Sequence, residues 1–348
     1  MKSLTIGYQP LSVDLSHAGD RRRLAFWAKC RGHRITTDLS EAVDVVVLSE
    51  RANFHKFPKK AMGVPTVFDL VDGYLSKESI VSDWARGTVK ILTGQLGGTP
   101  KPFTSFVKNL CEKVDAVVCS SPEQSEMVKL YSKNVHHILD SHSELPLTPF
   151  SHNQFRTQRR VIWEGMAATI AGIRQLDEVL YQIDKKNSLG ATFVVNEKYF
   201  RLLGKYFSTE TLPLLRSNLP KFEGEVRLVD WTPSNLVSHA SNCDLALIPT
   251  NLDSPIQNLK AENRLLIMWR LGLPCLTSAS PAYQRVANIS QVDSVCRASN
   301  DWLDKITNIL SDPLLAEDHV RRGQSYVHEY HNDDLLLAKW DSVFDSVS

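Results

Sequence analysis

The chain reads as an α/β protein built from two doubly wound, Rossmann-like domains in series. Three observations carry that reading. Short apolar runs alternate with helix-period segments along nearly the whole sequence. A polar stretch at residues 141–159, SHSELPLTPFSHNQFRTQR, interrupts the alternation once. The length of 348 residues is long for one hydrophobic core and comfortable for two.

The first series opens with an apolar strand at residues 4–8. A helix is expected at 20–31, strands at 34–37 and 44–49, and a further strand at 65–70. Residues 101–113 have helical periodicity, and 116–120 form an apolar run ending in Ser120–Ser121. Pro122 then occupies the first position of a helix over 122–132, capped by Ser121. A strand at 135–139 completes this half. Strands joined by helices must pair in parallel, so both faces of the sheet are covered.

After the break, residues 160–163 start a second series. Helix 172–185, strands 191–195 and 226–230, helix 233–240 and strand 244–249 follow. Residues 260–271 carry Leu265, Leu266, Met268 and Trp269 at helical spacing, and Gly272 stops that helix before a strand at 275–277. A short strand at 295–298 and helices at 300–310, 313–329 and 334–347 end the chain. The domains are placed at 1–150 and 151–330, with a C-terminal helix in 331–348.

Bulk properties narrow the function. Hydrophobic residues make up 43% and charged residues 23%, an ordinary globular composition. A net charge of +1 supplies no field for nucleic acid. No apolar run approaches the roughly 20 residues that cross a bilayer, and the N-terminal apolar stretch reads as a strand, not an export signal. Six scattered cysteines without a CxxC pair point to reduced thiols in a cytoplasmic setting. The pairs His136–His137 and His142–His152 lack partners at metal-ligand spacing, so no metal site is expected.

Two loops at the carboxyl ends of the second series have the character of an anion cradle. The first, EGMAATIAG, runs from Glu164 to Gly172 and is rich in small residues that let backbone N–H groups approach a phosphate. The second carries Asn251, Asp253, Ser254 and Gln257, and leads to Lys260, Asn263 and Arg264 near a helix start. Lysine as a point charge and arginine as a fork both suit a diphosphate, while a solvated helix face is the structural alternative. In the first series, Asp69, Asp72 and Tyr74 close a strand at the same kind of edge. A carboxylate there can serve as general base on a hydroxyl, and Asp72 before Gly73 can equally make a turn. Arg21, Arg22, Arg23, Phe26, Trp27, Lys29, Arg31 and Arg34 form a basic segment with interleaved aromatics. It offers peripheral contact with an anionic membrane over Arg21–Arg34, to which Lys56, Lys59 and Lys60 would add, or else a helix with a core face.

The segment KAENRLLIMWRLGLPCLTS, from Lys260 to Ser278, resembles the donor-nucleotide segment of glycosyltransferases with the GT-B fold, of the family 4 or group 1 type. The resemblance implies an N-terminal acceptor domain, a C-terminal nucleotide-sugar domain, a cleft between them, and a last helix that packs back on the first domain. It implies a metal-independent transfer of a sugar, hexosyl in type, from a nucleotide-sugar donor to a hydroxyl acceptor: a glycan, a glycolipid or a small molecule. No cofactor beyond the nucleotide-sugar substrate is implied. Donor contacts would fall on Gly165, Arg174, Asn251, Lys260, Asn263 and Arg264, and catalytic carboxylates on Asp69 and Asp72. The sequence departs from the family where a loop lysine is usual, at Ala171, and where a glutamate pair is common, at Leu259 and Ile267. Glu262 or Asp253 could then meet a sugar hydroxyl. Two other functions share this architecture: nucleotide-sugar 2-epimerisation and non-catalytic ligand binding.

Overall fold

The computed structural model describes residues 3–52, 63–76, 79–151, 158–200 and 208–348. Lys56, Lys59, Lys60 and His152 lie outside them. The chain divides into two compact units: Met1–His142 with Ser254–Ala261 and His331–Ser348, and Ser143–Asp253 with Glu262–Tyr330.

The first unit is built on β1 (Thr5–Gln9), α1 (Ala18–Arg21), α2 (Leu24–Arg31), β2 (Arg34–Thr36), β3 (Val45–Ser49), β4 (Thr66–Leu70), α3 (Ile80–Leu92), α4 (Phe103–Lys113), β5 (Ala116–Cys119), α5 (Pro122–Val128) and β6 (Val135–His137). Its six strands pair in parallel in the order β2-β1-β3-β4-β5-β6. β3 and β5 are buried along their whole length, as strands covered on both faces must be. The order reverses between β1 and β3, which opens a crevice at their carboxyl ends.

The second unit begins at β7 (Arg159–Glu164). A 3₁₀ run over Ala167–Leu176 leads into α6 (Asp177–Asn187), then β8 (Leu189–Val194), β9 (Lys198–Phe200), β10 (Ser208–Glu210), α7 (Thr211–Asn218), β11 (Val226–Val229), α8 (Pro233–Ala240) and β12 (Leu245–Ile248). The short α9 (Pro255–Asn258) groups with the first unit. Then come α10 (Asn263–Arg270), β13 (Cys275–Ser278), α11 (Pro281–Ser290), β14 (Val295–Cys296), α12 (Ser299–Ser311) and α13 (Pro313–Tyr330). The parallel sheet runs β11-β8-β7-β12-β13-β14, with its reversal between β7 and β12. An antiparallel β9–β10 pair stands apart from it.

The last helix, α14 (Asp333–Asp345), packs within the first unit. Trp27 stacks on Phe344 with ring centroids 4.3 Å apart, and its indole N–H donates to Asp341 at 2.7 Å. Arg31 pairs with the same carboxylate at 2.5 Å.

Several sequence expectations need correction. The helix expected over 20–31 breaks at Arg22–Arg23, because Arg23 leaves helical geometry to send its guanidinium inward. Arg22, Arg23 and Trp27 are all buried, so this basic segment turns much of itself into the protein. The helix expected over 260–271 forms only over 263–270, as α10, and Lys260 lies in the connector between the short α9 and that helix. The expected helix over 172–185 is the 3₁₀ run followed by α6. Helices α3, α7 and α11 were not expected. For α11 the signal was present: Ser280 caps the helix and Pro281 begins it, the same device as Ser121–Pro122.

Candidate functional site

In the second unit, β7 and β12 bracket the switch point of the sheet, and the loops that follow them pack closely. A Cβ added at Gly172 would stand 2.6 Å from the Pro249 carbonyl oxygen and 3.3 Å from the Asn251 nitrogen, so only glycine lets these loops meet. Gln175 ties them further, donating to the Gly172 and Thr250 carbonyls at 2.8 and 3.2 Å. Ser278 donates to the Gln175 side-chain oxygen at 3.3 Å and accepts the Thr250 N–H at 2.8 Å. The edge is therefore a preset cradle of backbone and short polar side chains.

Beside it, β7 ends in a buried acidic residue. Glu164 accepts the Trp231 indole N–H at 2.7 Å, and its other oxygen lies 3.5 Å from Arg264 Nε. The Arg264 guanidinium also donates to the Glu164 carbonyl and sits 5.1 Å over the Trp163 ring. At Gly165 a side chain would collide with Trp163 at 2.8 Å, and the backbone N–H donates to the Val194 carbonyl. The structure thus gathers Gly165 and Arg264 around Glu164, and Asn251 against Gly172. Arg174 is exposed on the 3₁₀ run. Asn263 is half-buried and opens α10. Asn251 uses its side-chain oxygen to accept the Asp253 N–H at 3.1 Å. Glu262, a candidate sugar contact, is instead 1% exposed and bound by Arg285 at 3.1 and 2.9 Å.

Lys260 lies in the first unit, with its ammonium 3.6 Å from Asp72. Asp72 follows β4 at the carboxyl edge of that sheet. Its N–H donates to Glu50 at 3.0 Å, and its carbonyl accepts Gln124 at 2.9 Å. Burial, with Asp72 adding repulsion, pushes Glu50 up to about 8. Arg51 donates to the Leu11 carbonyl at 3.1 Å. Burial, and then Arg51, push His17 below the usual histidine range, while its Nδ1 accepts the Gly19 N–H. This crevice joins a half-buried carboxylate, a lysine and a carboxyl group able to hold its proton at neutral pH.

Asp69 has a different place. It is 1% exposed and clamped by Arg23, with Nε at 3.1 and 3.0 Å and Nη2 at 2.6 Å. Arg23 also donates to the Ile138 carbonyl and lies 3.5 Å from Asp140. A carboxylate held this way has no open side for an acceptor hydroxyl. Its geometry supports anchoring, by tying α2 to the ends of β4 and β6. Glu50, Glu164, Trp231 and Gln175 went unread in the sequence, because each depends on neighbours distant along the chain. Among the described residues no group of three or more His, Cys, Asp or Glu side chains is placed to hold a metal ion.

Solved structures share this fold. HepE of Anabaena, in complex with UDP and glucose, matches at a TM-score of 0.64 and 10% identity over 98% of this chain and 99% of its own. WaaG, a glycosyltransferase of lipopolysaccharide biosynthesis, matches at 0.59 and 12% identity over 99% of both chains. The fold is GT-B. TarM of S. aureus also matches, at 0.61 and 12% identity, and the present chain spans 54% of its length. No family model matches the sequence, nor does any curated protein. Within this GT-B architecture, the β7–β12 cradle belongs to the C-terminal Rossmann-like unit.

Proposed function

We propose that the chain is a glycosyltransferase. Its second unit takes a nucleotide-sugar at the β7–β12 switch point, and its first unit takes a hydroxyl acceptor near Asp72. The observation that carries this is the cradle formed by the Gly165–Gly172 loop against Thr250 and Asn251, with Arg264 beside it. Support also comes from HepE, which has this fold and holds UDP and glucose. Catalysis would come from placing the two substrates together and offsetting charge on the departing diphosphate. On this reading Arg264 and the exposed Arg174 are the donor-side cations, Asp72 is the acceptor-side base, and no metal takes part. Lys260, on Asp72, would tune that base instead of holding the donor. The transferred group is read as a hexose.

Three observations favour non-catalytic binding as a second reading. Arg264 is engaged by Glu164, Lys260 by Asp72, and the loop holds Ala171 where a lysine would serve a diphosphate.

Thermal shift and calorimetry against UDP, GDP, ADP and their sugars test the proposal. At a hundredfold excess over Kd, a binding nucleotide stabilises by about 2.7 kcal/mol. We expect a shift with one nucleoside diphosphate that weakens in Arg264→Ala. Release of that diphosphate only when an acceptor is added separates transfer from binding. If no nucleotide shifts the melting curve, the glycosyltransferase reading fails.

A further inference from the structure

At the amino edge of the second unit's sheet, α12, α13 and the turn ahead of β14 line a cavity of about 240 Å³. Helix α13 runs close here because Gly323 has no side chain: a Cβ there would stand 2.3 Å from the Trp269 ring. One turn earlier His319 is 6% exposed, with Trp269 edge-on to its imidazole at 6.3 Å. Its Nε2 accepts the N–H of Cys275, the first residue of β13, at 3.2 Å. Burial pushes the imidazole down to about 4, so the ring is neutral at physiological pH. With Nε2 accepting, the one ring proton is on Nδ1. Among the described residues that Nδ1 has no acceptor, and it is not sealed inside the protein; it opens on the cavity.

Two cations join it. Lys305 comes from α12 with its side chain 20% exposed, donates to the Val295 carbonyl at 2.8 Å and pairs with Asp293. Arg322, one turn beyond His319, donates to the Gln291 carbonyl at 3.3 Å and holds Asp318 at 2.6 Å. Both carboxylates lie at the rim, with side chains 84 and 39% exposed, and Asp318 is shared with Arg321. Pairs so open to water hold weakly and yield to an incoming anion. Donors are thus set deep and acceptors at the mouth, and Ile309 supplies a buried apolar wall.

We propose that this cavity binds the carboxylate or phosphate end of a small metabolite. Its volume falls below the roughly 300–1,000 Å³ of ordinary ligand clefts, which keeps the occupant small. A buried N–H without an acceptor is costly, and an oxyanion would meet it while taking charge-assisted bonds from Lys305 and Arg322. A metal ion would meet the Nδ1 proton instead of a lone pair. Strand β13 separates this site from the nucleotide cradle. It starts at the Cys275–His319 bond and ends at Ser278, which binds Gln175 and Thr250. Four residues of strand put about 10 Å between the two ends. The site stands whether or not the cradle takes a nucleotide.

Imidazole-nitrogen NMR of the full chain tests the assignment, titrating inorganic phosphate and, separately, acetate against chloride at matched ionic strength. One or both should move the His319 Nδ1 signal and raise the pKa of its ring, because a neighbouring anion favours imidazolium. A response to phosphate alone marks a phosphate ester as the ligand, and to acetate alone a carboxylate. Lys305→Gln and Arg322→Gln should each weaken binding roughly tenfold, as one lost hydrogen bond to a charged group would. UDP should leave the response in place, and so should Arg264→Ala. Silence of His319 towards both anions overturns the proposal, as does undiminished binding by both variants. Displacement by UDP overturns it too, since the anion would then be sitting in the cradle. If a variant melts early, the wild-type titration decides by itself.

Discussion

Replacing Asp69 with alanine tests whether this carboxylate is an anchor or a catalyst. The side chain is 1% exposed and that of Arg23 0%, with three nitrogen–oxygen contacts between 2.6 and 3.1 Å. Removing one partner strands a buried guanidinium, and breaking a buried pair in this way typically costs about 3–5 kcal/mol. Asp140, 3.5 Å from Arg23, recovers part of that, which puts the expected loss near ~3 kcal/mol. For a unit of this size ~1 kcal/mol moves the melting temperature by about 2–4 °C, so a fall of roughly 6–12 °C is expected. The double variant Arg23→Met, Asp69→Leu removes both charges and should recover much of the loss. Thermal melts of the two single variants and the double close the cycle. A change below ~1 kcal/mol in Asp69→Ala, coupled with lost transferase activity, would refute the anchoring argument and restore a catalytic role.

Further outcomes follow from the same geometry. Burial raises Glu50 to about 8, so its contribution to stability is complete below the ordinary carboxylate range and is lost as pH rises through 8. Urea melts should show wild type losing up to about 1.4 kcal/mol per pH unit against Glu50→Gln between pH 5 and 8; parallel profiles would count against it. Gly172→Ala should lower stability by about 1–3 kcal/mol and weaken nucleotide binding, since its Cβ would meet the Pro249 carbonyl; calorimetry showing full affinity would discredit the cradle. Trp340→Ala removes a buried indole beside Trp27 and Phe344 and should cost about 3–5 kcal/mol by thermal melt. A near-neutral result would mean α14 contributes little to the first unit.

Much of this molecule follows from local pattern. Apolar runs such as Val45–Ser49 and Leu245–Ile248 are continuous because parallel strands are covered on both faces. Ser121–Pro122 and Gly272 mark helix ends whatever surrounds them, because capping and positive φ are local demands. The fold class, the alternation and the likeness to the GT-B plan were legible for that reason. The placement of charges was not. Asp69 looked like an open strand-end carboxylate until Arg23, 46 residues away along the chain, proved to be its partner. Lys260 looked like a helix-tip cation until the break between α9 and α10 set it on Asp72. Glu164 drew no notice until Arg264 and Trp231 converged on it. Periodicity reports which side of an element faces inward, because burial acts on each residue through its own surface. Pairing and titration depend on the inverse distance between groups that only the folded chain brings together, and there the tertiary structure alone decides.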